Sequence, residues 1–311
     1  MTMGSSTADT SPRTTRAVGR LLFAVRGAER PTVALEVATR LGRTMGLDLH
    51  VLRVLPARVG LSVLETSAVD SFRTLAWALS LRRETLAWVA GVMNNALPEG
   101  RVEVRTGRFE QEIARQAIKL EPELIVVPGA GLGDGAAVLR VVQSTRTSVL
   151  VARSLSSCRN TVVAGTNLES PEYPVVRRAS SIAERLGCSL IAVHNVRPRE
   201  ILSASGLLWP VSVPVIVDTS DAAAARLEQL RARLEAGVET ILSQETDATE
   251  AILRAADLSN AQVIVVGARR HRWLARLLRT GVARQLVERS QRSVLICPVG
   301  EGIGPAGFAG V

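Results

Sequence analysis
With 311 residues and a net charge of +9, the chain is too long for one small domain and suits two of about 150 residues. Apolar residues make up 47% and charged residues 22%, which excludes disorder over most of the length. No apolar run approaches the roughly 18 residues of a spanning helix. The longest, Leu207 to Val217, is short and broken by Pro210 and Pro214. Arg13 and Arg16 precede no apolar segment ending at a small-residue cleavage site, so no signal peptide is read and the cytoplasm is the expected location.

Cys158, Cys188 and Cys297 are odd in number and scattered, which argues against a disulfide framework. His50, His194 and His271 lie far apart, with no ligand spacing that would mark a metal site. All but one of the 38 basic residues are arginine, Lys119 being the exception. These arginines alternate with acids along helices, and aromatics are only 3%, so the charge lacks the stacking partners of a single-strand binder. Nucleic-acid binding is not expected.

Internal similarity organises the rest. Leu22–Arg26 corresponds to Val163–Asn167, and Met45-Gly46-Leu47-Asp48-Leu49 to Leu186-Gly187-Cys188-Ser189-Leu190, both at an offset of 141 residues. Leu124–Val127 matches Val263–Val266 at 139, and Ser148-Val149-Leu150 matches Ser293-Val294-Leu295 at 145. Four landmarks in one order indicate a duplicated domain. The expected divisions are a flexible segment 1–17, domain 1 at 18–155, domain 2 at 156–299 and a flexible tail 300–311.

In chain order, domain 1 predicts strands near 20–25, 49–55, 101–105, 123–128 and 147–152. Its first helix begins near Pro31, with Val33, Val37, Leu41 and Met45 on one face. A second runs from about 70 to 96, a third carries Ile113, Ala117 and Leu120, and a fourth carries Ala137, Val138, Val141 and Val142. Domain 2 repeats the scheme, with strands near 160–165, 189–195, 238–243, 262–266 and 292–297. Its first helix shows Val175, Ala179, Ile182 and Leu186, its second covers 221–236, and its third opens on Asp247-Ala248-Thr249-Glu250, a capping-box variant. Alternation of helices with continuous apolar strands predicts an α/β fold: two doubly wound, five-stranded parallel-sheet domains, with ligand sites at the carboxyl ends of the strands.

These strand patterns and their order resemble the universal stress protein family over residues 18–153 and 158–299. Its domains read as a strand ending in Asp, a helix, an L-L-H-V-V-like strand, a long helix, then a strand ending in G-x-x-G with G-[ST] nine residues later. The resemblance implies the adenine-nucleotide alpha-hydrolase-like superfold. It also implies an adenine nucleotide, ATP in some members, held by backbone N–H groups of that loop and a helix N-terminus.

Domain 2 keeps the loop length with altered residues. Gly267-Ala268-Arg269-Arg270 stands at G-x-x-G, residues 271–279 fill the spacer, and Thr280-Gly281 stands at G-[ST]. Asn167 replaces the acid after strand 1. The resemblance thus assigns a residual adenine-nucleotide or phosphate site to Thr166, Asn167, Val196, Gly267, Arg269, Arg270, His271, Thr280, Gly281 and Val282. The competing reading is a loop that kept its length and lost its ligand. Domain 1 departs further: Arg26 replaces the acid, and the loop after Val127 is about six residues shorter than in domain 2. Its glycines then serve as a short turn into the fourth helix.

His194 stands at the family's strand-2 histidine and is read as structural, as is His50. No G-x-S-x-G elbow, Walker lysine loop or matched carboxylate pair is present, and no catalytic residue or enzyme activity is expected. The expected function is that of a tandem universal stress protein, a stress-response binding module. Its two domains form an intramolecular pseudo-dimer through their last strands, near Val151 and Ile296. A homodimer of whole chains and an unknown protein partner are compatible with this reading. The alternative is a ligand-free scaffold acting through protein contacts.

Overall fold
The computed structural model describes residues 19–56, 68–94, 99–129, 135–153, 160–168, 172–196, 199–201, 215–217, 220–233, 238–245, 247–269 and 281–299. The expected terminal segments 1–17 and 300–311 lie outside the described residues. Domain 1 runs β1 (Arg20–Arg26), α1 (Thr32–Met45), β2 (Asp48–Leu55), α2 (Ala68–Met93), β3 (Val102–Thr106), α3 (Phe109–Leu120), β4 (Leu124–Pro128), α4 (Gly135–Thr145) and β5 (Ser148–Ala152). Domain 2 runs β6 (Thr161–Gly165), α5 (Pro174–Leu186), β7 (Ser189–Asn195), the short pair β8 (Arg199–Ile201) and β9 (Val215–Val217), α6 (Ser220–Arg233), β10 (Val238–Ser243), α7 (Ala248–Leu258), β11 (Val263–Arg269), α8 (Val282–Arg289) and β12 (Ser293–Val299).

All ten predicted strands form where their apolar runs stand. The β8–β9 ribbon was not expected; its second strand is the end of the Leu207–Val217 run. The repeat landmarks Gly46 and Gly187 have a shared cause. Each ends its helix in the left-handed region at φ 65°, where a Cβ would be strained, and turns the chain straight into the next strand. Asp247 caps α7 as expected, accepting from the Thr249 N–H at 3.2 Å. The Glu250 carboxylate, the second acid of the box, pairs with Arg289 of α8.

Strand order is β10-β7-β6-β11-β12-β5-β4-β1-β2-β3. Each half is a parallel sheet whose order reverses beside its first strand, at β1/β4 and at β6/β11. The expected two sheets are one: β12 and β5 pair antiparallel, with Val294 opposite Val151, Leu295 opposite Leu150 and Ile296 opposite Val149. Open strand edges carry unpaired N–H and C=O groups, and joining the two inner edges satisfies both.

The helices cover both faces. Side chains of α1, α2, α5 and α6 pack on one face with Leu150 and Leu295; those of α3, α4, α7 and α8 pack on the other with Val149, Val151, Val294 and Ile296. Each cluster passes through both domains without interruption. Arginines fasten the seam at its margins. Arg153 donates to the Val287 carbonyl at 2.5 Å, Arg178 to Glu123 O at 3.1 Å and Arg185 to Met45 O at 3.4 Å. Among the described residues, no helix is long and apolar enough to cross a membrane.

Candidate functional site
Parallel strands bring their carboxyl ends to one edge of each half-sheet, and that edge holds every predicted site residue that the structure describes. In domain 2, Thr166 and Asn167 follow β6, Val196 follows β7, Gly267 and Arg269 lie in β11, and Gly281 and Val282 open α8. Arg270, His271 and Thr280 lie outside the described residues, as does the Arg269 side chain.

Local bonds explain this edge. Thr166 donates its N–H to Val193 O at 2.9 Å, and its carbonyl lies 2.8 Å from Nδ1 of His194. The Thr166 hydroxyl accepts from the Leu168 N–H at 3.2 Å, closing a tight turn that leaves Asn167 exposed. His194 therefore pins the turn after β6, a structural role. Val196 is buried and bonded to Ser243 O. Gly281 is the N-cap of α8, with extended backbone and no side chain to offer the helix's first-turn N–H groups.

Gly267 differs from its expected role. The strand continues through it to Arg269, with Gly267 opposite Cys297 and Arg269 opposite Val299, where a loop was expected to begin. A Cβ on Gly267 would lie 2.7 Å from Val299 Cγ2 and 2.9 Å from Val175 Cγ2. The missing side chain thus makes room for apolar packing between β12 and α5. Gly267→Ala is expected to cost about 1–3 kcal/mol through overpacking, measured by urea denaturation; a change within about 0.5 kcal/mol would show that the valines yield freely.

Domain 1 has an open cavity of about 570 Å³ at the matching edge. Its walls come from the end of β1 (Arg26), the end of β2 (Val54, Pro56), the turn after β3 and the start of α3 (Arg108, Phe109, Glu110), and Arg140 of α4. Arg140 donates to Glu110 at 2.7 Å. Burial alone would raise the Glu110 carboxyl pKa, but the bonds from Arg140 and its own backbone, with the charge of Arg26, bring it below the ordinary carboxylate value. Sequence reasoning took Arg26 only as the loss of an acid and did not single out Arg108 or Arg140. The signal lies in their placement: a strand end, a helix N-cap and a helix position directly after the buried pair Val138 and Leu139.

Behind this edge, Arg53 of β2 is 1% exposed. Its Nη1 donates to Gly27 O at 3.1 Å, its guanidinium lies 5.5 Å from the Trp88 ring centre, and its Nε has no partner. Trp88 packs in turn on Phe23 at 6.3 Å and donates to Thr32 Oγ1 at 3.3 Å. Burial, then the charge of Arg30, lowers the Arg53 pKa. Register places Arg53 where domain 2 has His194. Both side chains bond a carbonyl just past the first strand, and the longer arginine reaches further along the turn. Burial pushes the Cys297 thiol up to about 11, so it stays protonated and packed.

A duplicated α/β sheet whose order reverses beside the first strand of each half defines a tandem α/β architecture. The chain belongs to the universal stress protein family, whose model matches residues 18–153 and 159–298. It is similar to a universal stress protein from Archaeoglobus fulgidus DSM 4304, at 14% identity over 90% of this chain and 98% of that one, with a TM-score of 0.63. A putative universal stress protein from Pseudomonas aeruginosa UCBPP-PA14 is likewise 14% identical over 91% and 94%, with a TM-score of 0.54. A universal stress protein from Archaeoglobus fulgidus solved in complex with dAMP is 19% identical over 42% of this chain and 94% of that one, with a TM-score of 0.27. No curated protein sequence matches the chain.

Proposed function
We propose that the chain is a cytoplasmic, non-enzymatic binding module of the stress response, in which domain 2 takes an adenine nucleotide. The observation that carries this reading is the domain 2 edge. There, the turn at Thr166–Asn167 and the end of β7 lie at the carboxyl ends of neighbouring strands, β6 borders the switch point, and α8 opens on Gly281, which has no side chain to cap it. Amide donors at a helix start with a pinned turn beside them suit a phosphate and its nucleoside. Arg269, Arg270 and His271 supply the positive charge that glycine donors supply elsewhere in the family.

A ligand-free scaffold is the second reading, and Gly267 favours it. The space beside its α-carbon holds Val299 and Val175, so the residue has a packing function without any ligand. Denaturing extraction of freshly purified protein, with chromatography of released nucleotide, separates the two, followed by calorimetric titration with ATP. Stoichiometric nucleotide, with affinity weakened by Arg270→Ala, is the expected result. No released nucleotide and no heat up to millimolar ATP would overturn the nucleotide reading and leave the scaffold.

A further inference from the structure
The duplication supplies an internal control for the cavity of domain 1. Register aligns Arg26 with Asn167, because Leu22 faces His50 as Val163 faces Ile191. Arg108 and Asp247 are the N-cap residues of α3 and α7. Two residues further on, Glu110 bonds Arg140 of α4 at 2.7 Å, while Thr249 bonds Gln285 of α8 at 3.0 Å. The two edges share one construction with different chemistry. At these four matched places domain 1 has three arginines and one glutamate, where domain 2 has asparagine, aspartate, threonine and glutamine. In domain 2 the ion pair that joins the two helices, Glu250 with Arg289, stands elsewhere on them, and the places matching Glu110 and Arg140 hold a neutral pair.

Two of the three arginines stand outside an ion pair, although Arg26 also acts on the Glu110 carboxylate from a distance. Arg140 is held by Glu110, but Arg26 and Arg108 are exposed and, among the described residues, neither makes an ion pair. Both line the cavity, whose floor includes the buried Val54 and Phe109. Arg108 caps α3 without a side-chain acceptor, so the helix's first N–H groups add positive potential at the same end.

We propose that this cavity binds a small organic dianion, a phosphate monoester or a dicarboxylate, gripped by Arg26 and Arg108. The planar guanidinium fork matches both head groups in two-point geometry. The apolar floor suits a short carbon body, and the volume falls within the range of small-molecule sites. An adenine nucleotide fits less well: Arg26 occupies the place of the family's acid, and the loop that would cover a triphosphate is short. The site is separate from the domain 2 edge and does not depend on it.

Calorimetry on the full chain at low ionic strength tests this, with glycerol phosphate, succinate and AMP as probes. Saturable binding of glycerol phosphate or succinate is expected, and the tighter of the two identifies the head group. Arg26→Gln and Arg108→Gln should each weaken it by about tenfold, and added salt should weaken it further. Arg231→Gln, at an exposed arginine of α6 outside the cavity lining, should leave it unchanged. Should a variant fail to fold, protection of Arg26 and Arg108 from phenylglyoxal by the bound probe, mapped by mass spectrometry, reads the same contact. Three results would overturn the proposal: no heat from glycerol phosphate or succinate at millimolar concentration, affinity or phenylglyoxal reactivity indifferent to these two arginines, or tighter binding of AMP at the same arginines.

Discussion

Arg53→Ala is expected to destabilise the protein by about 3 kcal/mol, from the cavity it opens and the Gly27 carbonyl it leaves unbonded. The side chain is 1% exposed, bonded to Gly27 O and stacked near Trp88. Its cost to the fold is equally specific. Nε is buried without a partner, and Glu84, an acid that raises its pKa, is already bonded to Arg30 at 3.2 Å. A buried cation with incomplete bonding contributes less than its contacts suggest, and an apolar chain of similar volume recovers much of the packing. Arg53→Met should therefore stay within about 1 kcal/mol of the parent. Urea denaturation followed by circular dichroism measures both. If Arg53→Ala is neutral, or Arg53→Met is as damaging as Arg53→Ala, the account of this side chain fails. Because Gly27 follows Arg26 directly, Arg53→Ala should also loosen the arginine cavity.

The second large effect is expected at the seam. Leu295 is 1% exposed, sits opposite Leu150 and belongs to a cluster containing side chains of α1 and α5. Leu295→Ala should cost about 3 kcal/mol, since a buried leucine truncated in a rigid sheet leaves a cavity that neighbours cannot fill. The more informative readout is where the loss appears. Both core clusters run through β5 and β12, so the halves should open together. Hydrogen exchange by mass spectrometry should show β4 and β5 losing protection along with β11 and β12. If domain 1 peptides keep their protection while domain 2 peptides lose it, the two halves are independent units that merely touch.

The seam also separates what is readable in one dimension from what is not. Leu150 and Leu295 were recognisable as corresponding positions of a repeat, and their place on last strands suggested pairing. That pairing makes one continuous sheet and one continuous pair of cores, because the antiparallel ladder aligns apolar faces from both copies. The arginine cavity was not readable in this way. Arg26, Arg108 and Arg140 come from a strand end, a helix cap and a helix interior, and each looks like an ordinary surface base in its own segment. Only the packing of α3 and α4 over the ends of β1 and β2 turns them toward one space.

By itself, the sequence determined the duplication, the strand and helix order and the family. Those properties follow from local periodicity and from strands apolar on both faces, which have no stable place except inside a covered parallel sheet. The tertiary structure alone decided the fusion into ten strands, the use of Gly267 for packing, and the charge contrast between the two edges. Those depend on contacts between segments far apart in the chain, where side-chain volume and charge take their meaning from the neighbours that the fold supplies.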